Sequence, residues 1–319
     1  MEMKKVDIIA GGLMHELFRG GLANDRNMLS ASALVSPTRY GAVLKAHKAF
    51  IAAGATMIMT NNYHVSPGMG FSSDEIREYS RLAGDLAAEA RKKSGKDNVM
   101  ICGSLPPLMP SYRSDRIINR EQGHDTYLLI GEALLPNVDM FVAETMSSLE
   151  EAKMAFDAVK TLQKPVMVSF ALNSTGQLRS GEPVVETIKA FVEFCNMRDE
   201  LLPGEVETET SPLLGILFNC SQPEDIAKAL SQIKETPGLL DEMHQKKIRF
   251  GGYGDHISPV SKAGAMEESM VPRELQSDMD IEVFTKFALR WIDDGADIVG
   301  GCCDIPPRYL QHISEELSQ

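Results

Sequence analysis

Cys220, Cys302 and Cys303 are the residues of this chain whose type and placing could do chemistry. Cys220 ends the apolar run Leu213-Leu-Gly-Ile-Leu-Phe-Asn-Cys220, and Cys302-Cys303 follow Asp297-Ile-Val-Gly-Gly301 directly. Short β-branched or apolar runs bounded by turn residues read as buried strands, so these thiols sit at strand tips. Three thiolates brought together match a tetrahedral zinc site with its fourth position open, and sulfur ligation argues against magnesium or calcium. Such a site can bind an added thiol and keep it deprotonated near neutral pH, where a free thiol of pKa about 8.5 is mostly protonated. The reaction it suits is alkyl transfer to sulfur. Water activation fits less well, because hydrolytic zinc usually takes histidine and carboxylate ligands. The plain alternative is three small buried hydrophobes with no metal. Cys102, inside the run Val99–Ser104, and Cys195, in a helical pattern, read as packing residues.

Positioning these tips requires a parallel sheet. Apolar runs recur at Val6–Ala10, Thr56–Thr60, Val99–Ser104, Asp139–Glu144, Pro165–Ala171, Leu213–Cys220, Ile248–Gly254 and Asp297–Val299. Helical patterns follow them at Thr38–Ala53, Ser73–Lys93, Thr126–Leu135, Ser147–Leu162, Pro183–Asn196, Pro223–Ile233, Ile281–Asp294 and Pro307–Leu317. Ser72 or Ser73 before Asp74-Glu75 gives the second helix a capping start. Alternating βα units imply a parallel sheet, and eight of them imply a closed (β/α)8 (TIM) barrel. An open doubly wound sheet would carry a G-x-G-x-x-G turn after its first strand, and this chain has none. No composition break divides the 319 residues, so residues 1–319 are expected to form one domain. Two polar excursions, Arg198–Pro212 and Asp255–Asp280, and a Pro/Ser/Arg-rich loop, Leu105–Arg120, interrupt the alternation.

In a barrel of this kind the active site is built at the C-terminal ends of the strands. There the sequence offers Gly11-Gly12, Thr60-Asn61, Ser104, Glu144-Thr145, Ser169, Asn219-Cys220, Gly251-Gly252-Tyr253 and Cys302-Cys303. Glu144 is a carboxylate that a cationic amine would partner. Glu16 is either a second rim carboxylate or a cap of the short helix after strand one. Tyr63, Tyr112 and Tyr253 could present ring faces to a methylated cation, or simply pack. The formal net charge of -13 counts against a nucleic-acid partner. No apolar run reaches membrane-spanning length, and the N-terminal residues lack a signal-peptide core. Five cysteines in no framework spacing suggest a reducing, cytoplasmic compartment.

The set Gly11-Gly-Leu-Met-His-Glu16-Leu, Ala53-Gly-Ala-Thr-Met-Ile-Met-Thr-Asn-Asn-Tyr63, Cys102-Gly-Ser-Leu, Glu144-Thr, Asn219-Cys220 and Gly300-Gly-Cys-Cys303 resembles the homocysteine S-methyltransferase family, from about Ile9 to Ile313. The resemblance implies a zinc-dependent barrel with Cys220, Cys302 and Cys303 as the Zn2+ ligands. It implies that Glu144 holds the amino group of homocysteine and that the Gly11-Gly12 backbone lies near the substrate. Glu16, Thr60, Asn61, Tyr63, Ser169 and Asn219 complete the expected substrate site. Two departures stand out. The family usually has an acid immediately before the strand-one Gly-Gly, where this chain has Ala10, and many members read Pro-Asn-x-Gly after strand seven, where it reads Gly252-Tyr-Gly-Asp-His256.

The expected activity is methyl transfer from a small onium donor, S-methylmethionine slightly ahead of betaine, to the thiol of homocysteine. Alternatives are transfer to a different thiol or selenol, and a phosphate-binding barrel lyase using the glycines after strands seven and eight. No lysine stands at a predicted strand tip to form a Schiff base, which counts against that lyase. A zinc or redox sensor would more often close its site with a fourth protein ligand. Oligomeric state is left open.

Overall fold

A computed structural model describes residues 5–23, 25, 27–199, 212–256 and 279–318. Its strands are β1 Asp7–Ala10, β2 Met57–Met59, β3 Met100–Leu105, β4 Met140–Met146, β5 Val166–Ala171, β6 Leu213–Asn219, β7 Arg249–Gly254 and β8 Ile298–Gly301. All neighbours pair in parallel, and β8 returns to β1 through Asp7↔Ile298 to Ala10↔Gly301, which closes the barrel in the order β1 to β8. The expected (β/α)8 architecture is therefore what the chain forms.

The helices are α1 Leu13–Arg19, α2 Ser32–Val35, α3 Tyr40–Ala52, α4 Ser73–Ser94, α5 Arg120–Leu134, α6 Leu149–Val159, α7 Val184–Asp199, α8 Pro223–Glu235, α9 Leu239–Gln245, α10 Ile281–Asp293 and α11 Pro307–Glu316. Ser72 caps α4 in a capping box with Glu75. The helix expected at Thr126 starts six residues earlier, at Arg120, because Asn119 accepts the backbone N–H groups of Glu121 and Gln122. The excursion Arg198–Pro212 lies outside the described residues from 200 to 211, and the one after Asp255 lies outside them from 257 to 278.

Burial divides into two layers. The larger packs the outer strand faces against the helices, with Phe50, Phe141, Phe156, Phe191, Phe284 and Trp291 all at most 1% exposed. The smaller fills the barrel itself with Ile9, Met57, Met59, Met140, Val142, Met167, Leu217, Tyr253 and Ile298. Unbranched methionine suits that irregular space. Cys102 belongs to this filling and Cys195 to the outer layer, as expected of packing residues. The N-terminal end of the barrel is tied by ion pairs such as Arg249 Nη1–Asp7 Oδ2 at 2.8 Å and Arg91 Nη1–Asp139 Oδ2 at 2.6 Å. The thiols lie at the opposite end.

Strand four was expected to end at Glu144 but runs to Met146, with its register against β5 shifting between Ala143 and Met146. Thr145 takes a left-handed φ of 62° there. This irregularity lets two successive side chains turn inward, where a regular strand would send them to opposite faces.

Candidate metal and thiol site

The three rim cysteines converge. Cys220 Sγ and Cys302 Sγ stand 3.0 Å apart. Single ligand atoms from Cys220, Asp255, Cys302 and Cys303 all lie within 4.8 Å of one another. Like Thr145, Cys220 has a positive φ, 48°, and so follows Asn219 into the barrel mouth. Non-glycine residues held in this region cost energy and concentrate at functional sites.

Hydrogen bonds frame the sulfurs. Asn219 Nδ2 donates toward Cys220 Sγ at 3.3 Å and to Thr145 Oγ1 at 2.8 Å, while its Oδ1 accepts from Ser169 Oγ at 2.7 Å and from the Thr145 amide at 2.9 Å. Thr145 Oγ1 donates toward Cys220 Sγ at 3.5 Å. Hydrogen bonds from Cys302 and Cys303 pull the Cys220 thiol well below its ordinary pKa, and those two thiols are held well above theirs. Of the three sulfurs, Cys220 is therefore the one most readily ionised. Making all three thiolates in a buried site requires a cation. Sulfur ligands at about 2.3 Å from a tetrahedral zinc stand roughly 3.8 Å apart, so the set fits such an ion after small adjustments.

Glu144, 5% exposed, reaches the same mouth from β4. Ser104 Oγ donates to its Oε1 at 2.5 Å. Burial raises its pKa to about 8 against the lowering effect of Ser104, and the negative character of Cys220 adds to the rise. Thr60 stands one step back: its Oγ1 accepts from the Ser104 amide at 2.9 Å and donates to Asn62 Oδ1 at 2.6 Å. Asn61 Nδ2 donates to the Ser30 carbonyl at 3.3 Å. Both side chains brace the rim. Tyr63 shares a hydrogen bond of 2.8 Å with Ser111, and burial with nearby Cys220 and Glu144 keeps its phenol protonated far above the usual range.

Gly12 presses on the thiol turn, since a Cβ there would meet the Cys302 carbonyl at 2.6 Å. A Cβ on Gly11 would meet the Tyr253 ring at 2.8 Å. Glu16 lies on α1 with its carboxylate 3.3 Å from Arg19, whose guanidinium also donates to the carbonyl of Asp304, next to Cys303, at 3.1 Å. Tyr112, with φ 68°, packs beside the cysteines and lends Cys220 a hydrogen bond, and the Arg179 guanidinium covers its ring at 5.5 Å from the centroid. The sequence gives neither Asp255 nor Arg179 a role of its own. Asp255 opens what reads as a polar loop, and Arg179 is distant from any motif.

A parallel barrel with a three-thiol cluster and a buried carboxylate at the C-terminal mouth defines a barrel enzyme whose rim cysteines could hold a metal ion. Residues 7–317 match the model of the homocysteine S-methyltransferase family, and the chain belongs to that family. It is 24% identical over 286 residues to S-methylmethionine–homocysteine S-methyltransferase BHMT2 of Pongo abelii, covering 87% of this chain and 69% of that one. It is 22% identical over 324 residues to betaine–homocysteine S-methyltransferase 1 of Bos taurus, covering 97% and 71%. The metallated form of the homocysteine methyltransferase MmuM from Escherichia coli has the same fold, with a TM-score of 0.75 at 17% identity over 99% of this chain and 97% of that one. Among the described residues no helix is long and apolar enough to cross a membrane.

Proposed function

We propose that this chain transfers a methyl group from a small onium donor to the thiol of homocysteine, giving methionine, with zinc held by Cys220, Cys302 and Cys303. The observation that carries this reading is the shared mouth of three sulfurs and the buried carboxylate of Glu144. Zinc bound there would keep the acceptor sulfur ionised and nucleophilic near neutral pH. The substrate thiol releases its proton to solvent water, its sulfur forms the new bond to the methyl carbon, and the donor's onium–carbon bond breaks with its electron pair leaving on the donor.

The protein's own residues supply position. Glu144 faces the amino group of homocysteine, and Ser104, itself fixed through Thr60, sets the rotamer of that carboxylate. Asn219 ties Cys220 to Ser169 and Thr145, which keeps the sulfur from swinging. Holding reactants in one geometry is a large share of what such a site contributes to rate. Among donors, S-methylmethionine stands ahead of betaine, and the names of the relatives agree with an onium class. All five cysteines are free thiols, which suits a reducing, cytoplasmic setting.

Ala10, 4% exposed at the end of β1, supplies no charge where the family usually has an acid. That favours a second reading in which the acceptor is another thiol or selenol. A panel of donors against thiols with the zinc-loaded protein decides. Methionine formation from homocysteine with S-methylmethionine or betaine supports the proposal. Turnover with methylfolate but no onium donor contradicts the donor, and turnover of other thiols alone contradicts the acceptor.

A further inference from the structure

Arg179 brings a partly buried positive charge to the rim of the barrel. It sits on a hairpin that follows β5 and is closed by an antiparallel bridge between Leu172 and Leu178. The Arg179 amide donates to the Ala171 carbonyl at 3.0 Å, and the amide of the next residue, Ser180, donates to the Ser147 carbonyl at 3.0 Å. Its backbone is thus anchored at the tips of β5 and β4. The guanidinium lies 5.5 Å from the centroid of the Tyr112 ring, which belongs to the segment after β3. In the order β3-β4-β5, a side chain reaching from β5 to Tyr112 passes over the end of β4, the strand that carries Glu144 and Thr145. Tyr112 in turn packs beside Cys220 and lends it a hydrogen bond, so the cation, the carboxylate and the thiols share one mouth.

We propose that Arg179 is a specificity-determining residue whose guanidinium binds the carboxylate of an amino-acid substrate at this mouth. The proposal rests on the reading of the site as one that methylates homocysteine with an onium donor. Homocysteine presents a thiol, for which the cysteines stand, and an ammonium, for which Glu144 stands. It also presents a carboxylate, which neither the thiols nor Glu144 can partner. S-methylmethionine and betaine carry a carboxylate too. A guanidinium offers a planar fork of N–H donors that matches a carboxylate, and its face can rest on an aromatic ring at the same time. Other arginines of this end are committed to carboxylates of the protein. Arg113, next to Tyr112, gives Asp115 two hydrogen bonds of 2.6 Å, and Arg19 pairs with Glu16 and Asp304.

The competing role is structural, with Arg179 merely packing Tyr112 over Cys220. Substrates without a carboxylate separate the two. The experiment compares zinc-loaded wild type, Arg179→Lys and Arg179→Leu with homocysteine and with aminopropanethiol, the same thiol lacking its carboxylate. On the donor side S-methylmethionine is set against trimethylsulfonium. Calorimetric titration reads binding, initial rates read KM and kcat, and zinc content and circular dichroism check the site and the fold. Expected in Arg179→Leu is a loss of about tenfold or more in binding and KM for the substrate whose carboxylate Arg179 holds. Its carboxylate-free analogue should bind more weakly in the wild type but equally in all three proteins. Arg179→Lys keeps the charge without the fork and should fall between. A loss confined to homocysteine assigns the acceptor's carboxylate, and one confined to S-methylmethionine assigns the donor's; either supports the proposal. Equal losses with and without the carboxylate mean packing alone and overturn it, as does wild-type KM in Arg179→Leu. If Arg179→Leu misfolds, Arg179→Lys decides by the same comparison. A wild type that methylates no thiol with either donor contradicts the function and this proposal with it, whereas wild-type turnover indifferent to Arg179 overturns the carboxylate role alone.

Discussion

Ser104 Oγ donates to Glu144 Oε1 at 2.5 Å across two adjacent barrel strands, and this bond holds a buried carboxylate at the mouth that contains the thiols. Burial nevertheless outweighs it and raises the Glu144 pKa to about 8 from an ordinary 4.5. The folded state therefore binds a proton that the unfolded chain releases. Stability from this group is fully present below pH 4.5 and is lost as pH rises through about 8. The slope reaches about 1.4 kcal/mol per pH unit at most. Glu144→Gln should flatten that loss, measured by denaturant unfolding of the metal-free protein between pH 5 and 9. It should also raise the KM for homocysteine and lower kcat, with zinc content unchanged. Wild-type kinetics in the variant would remove Glu144 from the site.

Gly12 tests how tightly the first turn supports the thiols. A methyl group there would meet the Cys302 carbonyl at 2.6 Å and the Ile305 carbonyl at 2.9 Å, both backbone atoms with little room to give. Gly12→Ala should push the cysteine turn outward and lower zinc affinity about tenfold or more, on the scale of losses at metal-supporting positions. Full zinc retention would show that the turn adapts.

Asn219 uses both ends of its amide, accepting from Ser169 Oγ and the Thr145 amide and donating to Thr145 Oγ1 and Cys220 Sγ. Asn219→Ala leaves buried polar groups without partners, at about 1–3 kcal/mol for such a group. Denaturant unfolding should show that loss, and activity should fall with it. A variant of wild-type stability would mean that water or a shifted side chain fills the gap.

The cysteines should divide into two groups. Cys220→Ser, Cys302→Ser and Cys303→Ser each replace a soft thiolate by a hard alcohol and should weaken zinc retention and abolish methyl transfer. Cys195→Ser, in the outer hydrophobic layer, should change neither. Metal analysis after dialysis reads both outcomes.

The barrel was legible because eight apolar runs alternate with helical patterns, and the three thiols because each group ends such a run. What escaped the sequence depends on backbone irregularity and on order around the barrel. A regular strand ending at Glu144 gives no reason for Thr145 to face inward, yet the register shift and its φ of 62° bring it to Asn219. Asp255 looks like the first residue of a polar loop until β7 is seen to lie between the two cysteine-bearing strands. Thr60 and Asn61 directly follow β2, and each hydrogen-bonds to protein groups there, which spacing alone does not reveal. Glu16 is drawn to Arg19 at the i+3 position, a local pairing that rim placement alone does not reveal.

The central claim is that zinc on Cys220, Cys302 and Cys303 receives the thiol of homocysteine. Zinc-edge X-ray absorption of the loaded protein, with and without homocysteine, measures it most directly by counting sulfur neighbours. The account predicts three sulfurs and one oxygen without homocysteine, and four sulfurs at about 2.3 Å with it. A sulfur count that homocysteine leaves unchanged would contradict it.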